Sequence, residues 1–242
     1  MLLLTKGRRW DSLKPILLHT LRGLAHMHHC GVAHTDLKHD NIMFDVGPLT
    51  QADITALIEE DPPRCHPPEQ SWKYTAMTRT YMVADFGSGK EWLDARTRPS
   101  TFHTYDEITA HPLRVPEIIL RGPWDERVDI WAFGCLIFEF TIGSALFVYE
   151  PHREYGLDEP TAHLWQILCF TCEQVEASKL GASTLTSLST PRTLATCSKY
   201  NVLEDEDALA MAVIMQRCPH LNPKDRATAQ ELLQDPWWQD VV

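Results

Sequence analysis

A mainly α-helical fold, with short β-hairpins beside one polar loop, is predicted by three features of this 242-residue chain. Residues 12–30 carry apolar side chains at helical spacing. Residues 130–148 form a long apolar run. Between them lie only short strand candidates, each followed by polar residues, which places loops at strand ends.

The first helix is read from Leu13, Ile16, Leu17, Leu21, Leu24 and His28, which fall on one stripe. Ser12 is expected to cap it, Pro15 to sit in its first turn and Gly31 to end it. Val32-Ala33, Ile42-Met43-Phe44 and Tyr81-Met82-Val83-Ala84 are the strand candidates. The run IWAFGCLIFEFTIGSALFV, Ile130 to Val148, has 19 residues and one charge, Glu139. Its length approaches a membrane span. Asp125, Glu126, Arg127 and Asp129 press against it and Gly143-Ser144 interrupts it, so a buried helix in the centre of a large domain is expected instead. In RATAQELLQDPWW, Thr228 and Glu231 form a capping box that opens a last helix, and Pro236 ends it.

Two stretches read as irregular. Residues 45–80 are an inserted loop: PPRCHPPE, 62–69, holds four of the 16 prolines, although Gln51 to Asp61 can form a short acidic helix. The second runs from Lys179 to Lys199 and is rich in Ser and Thr.

The apolar content of 44% is enough for a substantial core. The net charge of −11 argues against direct nucleic-acid binding and for attraction of basic peptides. Seven cysteines, an odd number, do not form a disulfide framework and suit a reducing, intracellular compartment. In MLLLTKGRR the apolar run is too short, and its charges are on the wrong side, for a signal peptide. No membrane association is expected.

Chemistry concentrates in three islands: His34-Thr35-Asp36-Leu37-Lys38-His39-Asp40-Asn41, Asp85-Phe86-Gly87, and Arg114-Val115-Pro116-Glu117. In this order they resemble the eukaryotic protein kinase pattern H-x-D-x-K-x-x-N, D-F-G and P-E. The resemblance implies a single kinase domain over residues 1–242, with an activation segment at 85–117 and a variable insert over residues 173–200. It implies ATP and Mg²⁺ as cofactors. Asp36 would accept or orient the substrate hydroxyl proton, a contribution of about 10²–10⁴ in rate. Lys38 would neutralise the transferring phosphoryl and contact ATP. Asn41 and Asp85 would hold magnesium, a hard cation that prefers oxygen, and so bind the nucleotide. His34 and Asp129 would be structural, with Asp129 holding the loop backbone. Glu117 and Arg226 would form a buried ion pair.

The pieces LRVPEIILRGPWDERVDIWAFGCLIFEFTIGSALF and YGLDEPTAHLWQIL are similar to the SR-protein kinases, especially fungal ones. That resemblance implies a Ser/Thr kinase acting on Arg/Ser-rich protein substrates. Arg114, Asp158 and Glu159 would be substrate-binding. Thr35 stands where most kinases carry an arginine that pairs with an activation-segment phosphate, and SR-protein kinases share the threonine.

No G-x-G-x-x-G occurs in the chain, and Lys6 and Lys14 are the only lysines before Asp36. The sequence is therefore expected to hold only the C-terminal helical lobe, without an ATP lobe, and to be weak or inactive alone. The rival expectation is a non-catalytic kinase-like scaffold that binds protein partners. A third reading, structural zinc, rests on His26, His28, His29 and Cys30 and on the lone pair Cys169 and Cys172.

Overall fold

A computed structural model describes residues 8–45, 48, 50–52, 55, 79–91, 108–173, 206–239 and 241. Most of the 45–80 loop, the middle of the 85–117 segment and nearly all of the 173–200 insert lie outside these residues. Of the expected acidic helix, Gln51, Ala52 and Thr55 are described and are helical.

Helix α1 spans Arg8–His29. It begins earlier than the sequence suggested, so Ser12 is not its cap and Pro15 lies in its interior. A proline there removes one helical hydrogen bond and costs about 3 kcal/mol. Burial offsets this cost. Trp10 and Leu13 are 3% and 6% exposed, each contributing about 1.5–3 kcal/mol, and Trp10 meets Trp237 edge-on with ring centroids 6.3 Å apart. At the other end Gly31 adopts φ 79°, a left-handed turn that glycine reaches without strain.

Four short strands follow in two antiparallel pairs. β1 (Val32–Ala33) pairs with β4 (Lys90–Glu91), and β2 (Ile42–Phe44) with β3 (Tyr81–Val83). In the second pair the register is Ile42↔Val83, Met43↔Met82 and Phe44↔Tyr81. These pairs set the polar loop 34–41 beside the Asp85 turn.

Helices α2 (Pro116–Ile119), α3 (Arg127–Ile142), α4 (Glu159–Thr171), α5 (Glu206–Gln216) and α6 (Ala229–Leu232) complete the fold. The apolarity of α3 on every side has a simple cause: two cores flank it. Ile130, Phe133 and Ile137 join α1, α5 and the tryptophans at 237 and 238 in one. Val128, Trp131 and Cys135 join Val115, Phe147 and Ile167 in the other. Gly134 lets the chain pass close, since a Cβ there would sit 2.6 Å from the Cβ of Cys218. The apolar run is thus a buried 16-residue helix ended at Gly143. Among the described residues no helix is long and apolar enough to cross a membrane. The last helix is one turn, opened by the Thr228–Glu231 capping box, and a separate turn at Pro236–Trp238 follows.

Candidate active site

The polar loop is held from below by one buried side chain. Asp129, in the first turn of α3 and 1% exposed, accepts from the backbone N–H of His34 at 2.7 Å and of Thr35 at 2.8 Å. His28, near the end of α1, meets the same carboxylate at 2.9 Å. A carboxylate removed from water is tolerated when its oxygens are hydrogen-bonded, and here three groups share it. His34 then links loop to turn: its Nε2 lies 2.8 Å from the Ala84 carbonyl, and its ring is 5.5 Å from that of Phe86.

Thr35 has φ 67°, a conformation that a β-branched residue adopts at real cost. Its neighbours fix it there. Its hydroxyl donates to the Ser88 carbonyl at 2.6 Å, its carbonyl accepts from Thr109 N–H at 2.8 Å, and its N–H is held by Asp129. One residue thereby ties Ser88 and Thr109, both within segment 85–117, to the loop, one through its hydroxyl and one through its backbone carbonyl.

Asp36 faces the open side of the loop. Lys38 Nζ donates to its Oδ2 at 2.7 Å, and Asn41 Nδ2 donates to its carbonyl at 2.9 Å. The hydrogen bond to Asp36 raises the Lys38 pKa despite partial desolvation, helped by the charges of Asp36, Asp85 and Asp40. Lys38 therefore stays cationic at neutral pH. Asp85 is exposed in a left-handed conformation, φ 63° and ψ 62°. Its neighbour Ala84 donates to the Asn41 carbonyl at 2.8 Å, which brings Asp85 next to Asn41.

This donor set fits magnesium. The Asn41 amide nitrogen is engaged with Asp36, so its amide oxygen could serve as a ligand atom, and Asp85 would add carboxylate oxygens. Hard oxygens from two protein side chains, with phosphate and water completing the shell, are what magnesium takes. No cluster of three or more His, Cys, Asp or Glu able to hold a metal occurs among the described residues. Of the residues raised for zinc, His28 is engaged with Asp129.

The other site residues lie apart from this group. Glu117 and Arg226 form a bidentate pair, 2.6 and 2.7 Å, at the base of the molecule. Arg226 also donates to the carbonyls of His220 and Arg127. Arg114 is 9% exposed. Its guanidinium stands 5.6 Å from the Tyr149 ring, and its carbonyl meets His163 at 3.1 Å. Asp158 caps α4, accepting from Thr161 N–H at 3.0 Å, and Glu159 is exposed in the same first turn.

A family model described as the protein kinase domain matches residues 6–238. The chain belongs to the protein kinase family. Meiosis induction protein kinase IME2/SME1 of Saccharomyces cerevisiae is 27% identical over 253 residues, which cover 96% of this chain and 34% of that protein. Dual specificity protein kinase CLK2 of Homo sapiens is 32% identical over 153 residues, 60% of this chain and 27% of that protein. Serine/threonine-protein kinase SKY1 of Saccharomyces cerevisiae is 28% identical over 173 residues, 66% of this chain and 22% of that protein. The chain spans about a third or less of the length of these relatives.

The kinase motifs point to Asp36, Lys38, Asn41 and Asp85 directly, but two features escape them. The helical stripe accounts for His28 as a packing residue, whereas its ring reaches 101 positions along the chain to Asp129. Met43, Met82 and Phe86, 53%, 46% and 54% exposed, present an apolar face beside the site. Alternation in the strands signals that face only once the β2–β3 register is known.

Proposed function

We propose that this chain carries the catalytic half of a protein serine/threonine kinase that transfers the ATP γ-phosphate to protein substrates. The observation that carries the reading is that Lys38 and Asn41 both hydrogen-bond to Asp36 while the Ala84–Asn41 backbone bond ties the Asp85 turn to the same loop. Asp36 receives or orients the proton of the substrate hydroxyl. Lys38, cationic and 2.7 Å from Asp36, stands where charge on a transferring phosphoryl would be neutralised. Asn41 and Asp85 would hold magnesium, which when bound supplies charge neutralisation on the phosphates. Asp129, through the loop backbone, fixes the direction in which Asp36 points.

Within the family we favour an intracellular SR-protein-kinase-like enzyme acting on Arg/Ser-rich proteins. Thr35 supports this, because its bonds to Ser88 and Thr109 hold the activation segment with no phosphate-binding arginine. Exposed Asp158 and Glu159 on an acidic chain suit a basic substrate.

We further infer that the described lobe grips ATP weakly by itself. Sheets of more than two strands are absent among the described residues, and Met43, Met82 and Phe86 lie open to water beside the site. That face also suits the alternative reading, a scaffold that binds protein partners. Calorimetry with Mg-ATP separates the possibilities for the chain alone: affinity weaker than micromolar is expected, and micromolar binding would overturn the weak-grip reading. Joined to an ATP lobe from a relative, the chain is expected to phosphorylate an Arg-Ser peptide, and Asp36→Asn to abolish this with the fold intact. Full activity in that variant removes Asp36 from its role, and no activity in the joined wild type favours the scaffold.

A further inference from the structure

Cys169 and Cys172 stand at the C-terminal end of α4, away from the phosphoryl-transfer residues. Cys172 is exposed and Cys169 half-buried. The N–H of Cys172 still donates to the Leu168 carbonyl at 3.1 Å, so the backbone keeps helical geometry up to that nitrogen. Residues three apart then have Cα atoms about 5 Å apart, inside the window of about 4.4–6.8 Å that a disulfide spans. Cys172 itself turns left-handed, φ 55°, which folds its side chain back over the helix end. Its Sγ lies 3.7 Å from the carbonyl oxygen of Cys169.

We propose that Cys169 and Cys172 are a modification site, closing to a reversible disulfide under oxidised glutathione. Cys172 attacks first: it is exposed, whereas burial pushes the Cys169 thiol up and keeps it protonated. Its thiolate displaces one glutathione, breaking the glutathione S–S bond and forming a mixed disulfide. Cys169 then loses its proton and attacks the Cys172 sulfur, and the second glutathione leaves as thiol. Two protein thiols are oxidised and one glutathione disulfide is reduced to two thiols. The fully buried Cys135 and Cys218, both pushed up by burial, take no part.

The consequence runs through the next residue. The Glu173 carboxylate meets His220 Nδ1 at 2.6 Å and accepts from Leu221 N–H at 2.8 Å. The His220 carbonyl in turn accepts from Arg226 Nε at 2.8 Å. Drawing the Cys172 sulfur from the Cys169 carbonyl toward the Cys169 sulfur shifts Glu173 and loosens its hold on the 220–226 segment.

The folded chain is incubated with oxidised glutathione, trapped with a thiol alkylator and analysed by peptide mass spectrometry. A loss of about 2 Da in the peptide holding both cysteines, reversed by reductant, is expected. Cys169→Ser should leave a stable glutathione adduct on Cys172, and Cys172→Ser should leave both effects absent. Bonding of Cys172 to Cys65 or Cys197 instead, an adduct that persists in wild type, or no reaction overturns the site. Amide exchange tests the coupling: Leu221 should exchange about tenfold faster in the oxidised form, since its partner is a charged acceptor. Unchanged exchange with the disulfide formed overturns the transmission to residues 220–226.

Discussion

Asp129 and Glu117 are both buried carboxylates, 1% and 7% exposed, yet they hold different things. Asp129 binds backbone N–H groups of the polar loop together with one imidazole. Glu117 binds a guanidinium that is itself fully buried. The first arrangement fixes the course of a loop that faces water. The second clamps two segments 109 residues apart. Breaking each should therefore fail differently: global stability at the base, local geometry under the loop.

The largest effect is expected from Arg226→Ala. It leaves Glu117 buried without its partner, which costs about 3–5 kcal/mol. The Arg226 contacts to His220 and Arg127 go with it. An unfolding free energy, from denaturant titration, that falls by less than about 1 kcal/mol would erase the difference between the two carboxylates. Replacing both members by apolar residues, Glu117→Leu with Arg226→Met, should recover much of the loss, because neither charge is then stranded.

Asp129→Asn is expected to cost less, about 1–3 kcal/mol, since one amide oxygen still accepts while its NH₂ turns toward a backbone donor. The decisive readout is local. Amide exchange should accelerate at His34 and Thr35 with the far cores little changed. Uniform acceleration across α1 and α5 would show that Asp129 holds the whole fold and not the loop.

The sequence discloses the two carboxylates unequally, and the reason is physical. Helical periodicity, the long apolar run and the motif islands locate α1, α3 and the group of Asp36, Lys38, Asn41 and Asp85, because those depend on local spacing. The start of α1 is misjudged because Pro15 signals a first turn locally, while burial of Trp10 against Trp237 carries the helix further back. The His28–Asp129 contact and the three bonds that fix Thr35 join residues 53 to 101 positions apart. No pattern within a window of 18 residues contains them. Strand β4 is missed for the same reason: Lys90 and Glu91 have no strand signature of their own and are extended because Val32 and Ala33 pair with them.

His163 offers a pH-dependent version of the comparison, because it is buried without a carboxylate. Burial lowers its pKa below the ordinary 6.5, outweighing its hydrogen bond to the Arg114 carbonyl. Between that lowered value and 6.5 the unfolded chain binds the extra proton, so this contribution to stability is whole above pH 6.5 and fades on acidification. The slope from this one group is at most about 1.4 kcal/mol per pH unit. His163→Gln should flatten the stability curve just below pH 6.5; an unchanged slope assigns acid sensitivity to other groups.

The smallest effect is expected at the exposed end of the same scale. Glu231 accepts from the Thr228 N–H at 2.7 Å and from its hydroxyl at 3.0 Å, and these bonds, backbone first, lower its pKa. The unfolded value is about 4.3, so the contribution is present above that pH and lost as pH falls through the lower folded value. The sign agrees with His163 but the window sits about two pH units lower. Solvent screens the pair, so its electrostatic share is small. Thr228→Ala should cost about 1 kcal/mol at neutral pH through loss of the cap. Glu231→Gln should cost less and remove only the acid-dependent part. If Glu231→Gln proves as costly as Arg226→Ala, exposure is not what separates strong from weak carboxylate partners in this fold.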